Sequence, residues 1–159
     1  MSTLVVGTMA FDSLETPFGK AERIIGGSAT YIGLAASNFS NDVHLVSVVG
    51  DDFPQEQLED LTRRGVSSEG VERKKGEKSF FWSGKYHNDM NTRDTLDTQL
   101  NVLEDFQPKV PDSASEVDFL MLGNLTPSVQ MDVILQMKTR PKLILLDTMN
   151  FWMDVALDE

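Results

Sequence analysis

The stretch from residue 24 to residue 52 constrains the fold of this chain more than any other part of the sequence. It begins with Gly26-Gly27, continues through a run of small residues, and ends in the apolar segment Val43–Val49 followed by Gly50-Asp51-Asp52. A glycine pair permits a tight turn and a close backbone approach. The small residues predict a closely packed helix over roughly Ser28–Phe39, and the apolar run predicts a buried strand.

Further strands and helices are predicted to alternate along the chain. Short apolar runs predict buried parallel strands at Leu4–Gly7, Val117–Leu122 and Leu143–Leu146. Asp52 stands where a helix N-cap would, and Pro54 and Gly65 are typical of that helix's first turn and end. Thr126 predicts the cap of a later helix. Strands that alternate with helices predict an α/β fold with a parallel sheet and right-handed crossovers.

Two segments depart from this rhythm. Residues 13–23 are polar, with Pro17 and Gly19 near the middle, and predict a hairpin outside the core. Glu72–Leu103 contains Ser79–Tyr86, whose sequence SFFWSGKY has strong strand propensity, between two turns. We interpret Glu72–Leu103 as a small accessory sheet.

Composition excludes several classes of protein. The chain has 159 residues, which predicts one domain, and its net charge of −11 argues against a nucleic-acid-binding protein. It has no cysteine, so disulfides and thiolate metal sites are ruled out. The N-terminus lacks the features of a signal peptide, and no apolar run is long enough to span a membrane. We expect a cytoplasmic protein with no membrane partner.

Polar residues directly follow several of the predicted strands. They are Asp12, Gly50-Asp51-Asp52, Gly123-Asn124 and Asp147. Ligands of open parallel sheets bind at the carboxyl ends of the strands. These residues therefore predict a site at that edge of the sheet.

The glycine pair, the small-residue helix, the buried strand and Gly50-Asp51-Asp52 together resemble the N-terminal signature region of the PfkB, or ribokinase-like, family of carbohydrate and nucleoside kinases. The resemblance implies a partial ribokinase-like α/β core, spanning residues 1–159, and a small β lid formed by about residues 12–25 and 72–103. It implies that Asp12, in its Gly-x-x-x-x-Asp setting, grips substrate hydroxyls, and that Gly26 and Gly27 lie at a sugar or nucleoside pocket.

Two features leave the substrate open. Many members of the family have asparagine where this chain has Tyr31, and tyrosine can donate a hydrogen bond, pack or stack. Alternation divides the aromatic residues of the lid, among them Phe81, Trp82 and Tyr86, between its two faces. One face could close over a substrate, and the other could pack against the lid of a second copy in a homodimer.

The remaining candidates have structural interpretations beside the functional ones. Asp51 and Asp52 could form a metal pair, but we favour helix capping and compensation of the helix dipole. His44 and His87 have no third ligand at metal spacing, so we assign no metal site. The resemblance implies that Asp147 and Asn150 lie near the site of phosphate transfer.

The resemblance covers only about the first half of the family. Its members organise ATP, Mg²⁺ and phosphate with an Asn-x-x-Glu stretch and a Gly-Ala-Gly-Asp-type loop that supplies the catalytic base. We expect neither within these residues, so the resemblance places the catalytic base beyond Glu159. It therefore implies an ATP- and Mg²⁺-dependent kinase for the full-length protein.

For the chain alone the expectations are different. We expect no catalytic residue, no tight binding of ATP or Mg²⁺, and no turnover. Because the last predicted strand leaves a sheet edge exposed, we also expect poor solubility or oligomerisation.

Two other functions stay open at this point. One is a non-catalytic sugar- or nucleoside-binding or interaction module that retains the pocket and lid. The other is an unrelated Rossmann-type nucleotide-binding protein, which is disfavoured because Gly7 is not followed by the G-x-G-x-x-G spacing.

Overall fold

Two β-sheets with four α-helices make up the computed structural model, which describes residues 1–158. The core sheet has the strand order β5-β4-β1-β8-β9 and all its strands are parallel. The second sheet has the order β3-β2-β6-β7 and is mixed. The strands are β1 Thr3–Val6, β2 Ala10–Thr16, β3 Gly19–Gly26, β4 Val43–Gly50, β5 Val66–Lys74, β6 Phe80–Tyr86, β7 Arg93–Gln99, β8 Phe119–Leu122 and β9 Leu143–Leu146. The helices are α1 Ser28–Ala36, α2 Gln55–Arg63, α3 Pro127–Gln136 and α4 Asn150–Val155.

Glu159 lies outside the described residues. This residue is the last one of the partial core predicted from the sequence, and the resemblance places the catalytic base of the family beyond it. The structure therefore describes that core only as far as residue 158, and the position of the catalytic base stays a prediction.

The central strands form because their side chains are apolar on both faces. All four residues of β1 are buried, and seven of the eight residues of β4 are buried. Their side chains divide into two clusters, one on each side of the sheet, which contain Val6 and Val5 respectively. Helix α1 lies directly on this sheet, since a β-carbon at Gly33 would come within 3.0 Å of the Leu45 side chain. The prediction of an α/β fold with a parallel sheet is confirmed.

Helix ends follow the sequence signals in part. Thr126 caps α3 by accepting a hydrogen bond from the Val129 amide at 3.3 Å, and Pro127 is the first helical residue. Gly65 follows α2 with φ +81°, the left-handed conformation typical of a helix stop. The prediction that Asp52 caps α2 is wrong, because the cap position belongs to Pro54. Asp52 instead hydrogen-bonds to the second sheet.

The second sheet is built from the two segments that the sequence predicts to lie outside the alternating strands and helices of the core. Strands β2 and β3 form the predicted antiparallel hairpin, and β2 also pairs with β6 in parallel. The proposed start of the accessory segment, residue 72, is wrong because β5 continues in the core sheet to Lys74. Its proposed end, residue 103, is also too late, because Val102 is fully buried in the core.

Strand β5 was not predicted from the sequence. It lies at one edge of the core sheet, hydrogen-bonded to β4 alone within the sheet, and most of its residues are only partly buried. An edge strand with one solvent-exposed side tolerates polar residues, so its sequence VSSEGVERK lacks the apolar run that marks a buried strand.

Among the described residues, no helix is long and apolar enough to cross a bilayer.

Candidate functional site

Asp12 and Gly26 are neighbours on the same face of the β2–β3 hairpin. Asp12 pairs with Ile24 across the hairpin, and Gly26 pairs with Ala10. A β-carbon at Gly26 would overlap the carboxylate of Asp12, so only glycine leaves room for that side chain. The structure thus brings together two residues that the sequence proposed for one pocket.

The Asp12 carboxylate has no hydrogen-bond donor among the described residues. It is partly buried, and this burial raises the pKa of its carboxyl group above the ordinary value of 3.8. A half-buried carboxylate without partners loses hydration and gains no compensating interaction. Hydroxyl groups of a ligand could supply the missing donors.

Gly27 and Ser28 form the tight junction between the hairpin and α1. Gly27 has φ +95°, and a β-carbon there would overlap the carbonyl oxygen of Thr8. The Ser28 amide donates to Thr8 Oγ1 at 3.0 Å, and the Ala29 amide donates to the Thr8 carbonyl at 2.9 Å. The backbone amides of Ser28 and Ala29 at this helix start are therefore already hydrogen-bonded within the protein and are not free for a ligand.

Thr8 and Ser28 also belong to this site, although no motif in the sequence predicts them. Besides the bonds above, the Thr8 amide donates to Ser28 Oγ at 3.2 Å. A β-carbon at either Gly7 or Gly123 would overlap the same hydroxyl. Gly7 directly follows β1, and Gly123 directly follows β8. In the core sheet β4 lies on one side of β1 and β8 on the other, so the strand order reverses at β1. The Ser28 hydroxyl therefore occupies the switch point of the sheet, where α/β folds bind ligands.

Tyr31 lies one turn into α1 and closes back on the hairpin. Its hydroxyl donates to the Ile25 carbonyl at 3.1 Å, while 56% of the residue remains exposed. The hydroxyl is thus held by protein backbone. The exposed part of the ring is available for packing or stacking.

The aromatic residues of β6 separate onto two faces. Trp82 is in register with Asp12, so their side chains share a face, and Tyr86 lies on that face four residues farther along. Phe81 is in register with Phe11 on the opposite face and packs against the core. Of the three predicted lid residues, Trp82 therefore lies level with Asp12, and Phe81 belongs to the back of the sheet.

Trp82 is supported by its own strand and by β7. A β-carbon at Gly84 would overlap the outer atoms of its indole ring, so the ring extends over that glycine. Its Nε1 donates to Thr95 Oγ1 at 3.3 Å, and the Arg93 guanidinium lies 5.9 Å from the ring centroid. The indole is consequently held over the face that carries Asp12.

Asp147 and Asn150 follow β9, two strands away from β1. Both side chains are exposed, and Asn150 is the first residue of α4. Gln130, which sequence reasoning missed, is buried and donates from Nε2 to the carbonyls of Gly123 at 2.8 Å and Asp147 at 2.9 Å. A lone buried glutamine on a helix gives no sequence signal of such a bridge between strand ends.

Asp51 and Asp52 do not form a metal pair with free ligands. Asp51 accepts from the Gly76 amide at 2.6 Å, and Asp52 accepts from the Ser79 amide at 2.7 Å. In the described part of the chain, no group of three His, Cys, Asp or Glu side chains is arranged to hold a metal ion.

The expectation that the chain contains no Asn-x-x-Glu stretch is wrong as a matter of sequence, since Asn101–Glu104 has this spacing. In the structure these residues leave the second sheet, and the Asn101 side chain donates to the Ser79 carbonyl at 2.9 Å. Glu104 is exposed. Asn101–Glu104 therefore forms part of the connection between the two sheets.

Comparison with solved structures identifies the fold. The chain is similar to ribokinase from Cryptococcus neoformans in complex with ADP, with a TM-score of 0.71 and 18% identity over 91% of this chain and 50% of that one. It is similar to the nucleoside kinase of Burkholderia thailandensis in complex with ADP-inosine, with a TM-score of 0.74 and 17% identity over 92% and 52%. The nucleoside kinase of Methanocaldococcus jannaschii matches with a TM-score of 0.68 and 14% identity over 92% and 52%.

These likenesses show that the chain has the ribokinase-like α/β fold, as the sequence predicted. The chain spans about half the length of the solved structures that it resembles. No protein-family model matches the sequence, and no curated protein matches it.

Proposed function

We propose that this chain is the substrate-binding and lid half of an ATP-dependent kinase that phosphorylates an alcohol group of a sugar or nucleoside. The observation that carries the proposal is the Asp12 carboxylate, which is partly buried and has no donor among the described residues. The ribokinase-like fold supports it, since the solved neighbours include a ribokinase and nucleoside kinases.

Asp12 would act by accepting hydrogen bonds from two neighbouring hydroxyl groups of the ligand. A carboxylate has two oxygens and about four lone-pair sites, so it can accept from a vicinal diol. Hydrogen bonds to a charged acceptor are the stronger kind. The second sheet would act as a lid, with Trp82 positioned to pack against the ligand and exclude water.

Among the described residues no group of three His, Cys, Asp or Glu side chains is arranged as a metal site, so we assign no Mg²⁺ ligand to them. We assign no step of phosphoryl transfer to them. We propose transfer from ATP only for a protein that includes the remaining half of the fold. Its catalytic base would lie beyond Glu159. We also propose that this protein is cytoplasmic. Asp147 and Asn150 would lie toward that half, near the site of transfer.

Ligand binding tests the proposal. Titration calorimetry with D-ribose and with inosine should show binding to the wild-type chain, and Asp12→Asn should weaken it by about tenfold or more because an amide accepts fewer hydrogen bonds. Lys20→Gln is a matched control, since it removes an exposed ion pair with Glu15 at the far end of the hairpin. Equal affinities of wild type and Asp12→Asn would contradict the assigned role of Asp12.

A non-catalytic binding module would retain the same Asp12 site. The observation in favour of this second function is that the Asp12 site and the second sheet lie entirely within the described residues. Reading the encoding DNA downstream of Glu159 separates the two functions. A Gly-Ala-Gly-Asp-like loop would support the kinase, and a stop codon would support the module.

A further inference from the structure

The turn Gly50–Phe53, which begins at the last residue of β4, contacts the second sheet at several points. The Asp51 amide donates to the Glu77 carbonyl at 3.0 Å, and the Gly50 amide donates to Ser79 Oγ at 2.9 Å. A β-carbon at Gly50 would overlap the backbone at Glu77. The segment that leads into β6 therefore lies in direct contact with the end of a core strand.

Asp52 connects this turn to two strands at once. Its Oδ1 accepts from the Ser79 amide at 2.7 Å, one residue before β6 begins. Its Oδ2 accepts from the Arg23 guanidinium of β3 at 3.1 Å. In the second sheet β3 and β6 are the two neighbours of β2. One carboxylate thus ties down both strands that flank the strand of Asp12.

Aromatic packing beside the Asp52 carboxylate also connects it to the strand that carries Asp12. The Arg23 guanidinium lies 4.3 Å from the centroid of the Phe11 ring, and Phe11 lies 5.8 Å from Phe53. Both phenylalanines are buried. Phe11 precedes Asp12 in the chain, so whatever fixes the Phe11 side chain also limits the movement of the Asp12 backbone.

We propose that Asp52 is a positioning residue, which fixes the second sheet on the core through Arg23 and Ser79 and thereby places the Asp12 carboxylate. The Arg23 side chain is 54% exposed and that of Asp52 is 27% exposed, so solvent screens their ion pair and its contribution to stability is small. Loss of the pair should therefore alter the mobility of the hairpin more than the stability of the core.

Two substitutions separate the two connections of Asp52. Asp52→Asn retains an oxygen for the Ser79 amide but cannot accept well from Arg23, whereas Asp52→Ala removes both bonds. Hydrogen exchange on the 159-residue chain should show about threefold to fivefold faster exchange of residues 22–26 in Asp52→Asn, with residues 79–82 unchanged. Asp52→Ala should accelerate both segments, and β4 should be unaffected in either variant.

Arg23→Gln should reproduce the effect of Asp52→Asn on hydrogen exchange. The double variant should show no further acceleration, because both substitutions remove the same ion pair between Arg23 and Asp52. Lys20→Gln is the matched control on the same hairpin. The inference is overturned if residues 22–26 exchange at the wild-type rate in Asp52→Asn, or if Lys20→Gln accelerates them equally.

The effect on ligand binding rests on the proposed function. Titration with D-ribose and inosine should give severalfold weaker binding for Asp52→Asn and Arg23→Gln, and an unchanged affinity for Lys20→Gln. If the wild type binds neither ligand, the proposed function fails, and the exchange experiment still decides the role of Asp52. If the wild type binds and Asp52→Asn binds equally well, the positioning role is wrong.

Discussion

The carboxylate of Asp12 occupies the space that a β-carbon on Gly26 would need. The two residues are adjacent across the β2–β3 hairpin, which has a bulge between Asp12 and Leu14. The glycine is therefore required by the position of a side chain that is fourteen residues away in the sequence.

Gly26→Ala should displace the Asp12 carboxylate and abolish binding of D-ribose and inosine. We expect a loss of about 1–3 kcal/mol in the free energy of unfolding from overpacking, measured by urea denaturation. In an Asp12→Ala background the same change should cost much less, because the space is then free. Equal costs in the two backgrounds would contradict the steric relationship.

Asp12→Asn should raise the melting temperature at pH 7 while it weakens ligand binding. Burial raises the pKa of Asp12 above 3.8, so the charged form is disfavoured in the folded state. This unfavourable contribution is present above the raised pKa and disappears as the pH falls below the unfolded value. The difference in melting temperature between variant and wild type should therefore shrink between pH 7 and pH 3. A variant that melts below the wild type at pH 7 would contradict this reasoning.

Gly27→Ala and Gly76→Ala form a matched pair. Both glycines have positive φ, +95° and +78°, so alanine is strained at each position. A β-carbon at Gly76 meets no atom within 4 Å, whereas at Gly27 it would overlap the Thr8 carbonyl. We expect Gly76→Ala to cost about 1 kcal/mol and Gly27→Ala about 3 kcal/mol or more, measured by urea denaturation. Similar losses for the two variants would show that the Thr8 backbone can move aside.

The outer strand of the core sheet should make the chain associate. Strand β9 is paired with β8 alone in the described sheet, and Leu143, Leu145 and Leu146 are 47%, 43% and 56% exposed. Unpaired edges and apolar patches promote association. Leu145→Lys should lower the average mass in sedimentation velocity.

Leu96→Lys on β7 is the control for association through the second sheet, since Leu96 is 57% exposed there. If Leu96→Lys alone lowers the mass, the copies associate through the second sheet. A wild-type chain that sediments as a monomer would show that neither surface is sufficient.

Local sequence patterns determined the type and order of most elements. The apolar runs of β1 and β4 can be recognised in the sequence because strands buried between two layers exclude polar residues. The equally apolar run Leu143–Leu146 does form strand β9, but the prediction that it is buried is wrong, because three of its four residues are exposed. Gly26-Gly27 and Asp12 were likewise recognisable from residue type and from the resemblance to ribokinase-like kinases. These features depend on neighbours in the chain, which the sequence shows directly.

Tertiary structure alone decided which distant groups meet. The sequence suggested helix capping for Asp52, but its partners are Arg23 and Ser79, which lie 29 and 27 residues away. Thr8 and Ser28 satisfy each other across twenty residues, and the polar strand β5 joined the core as an edge. A carboxylate or hydroxyl accepts a hydrogen bond from whichever donor the packing of distant segments places beside it. The local pattern of apolar and polar residues does not show which segments will pack together.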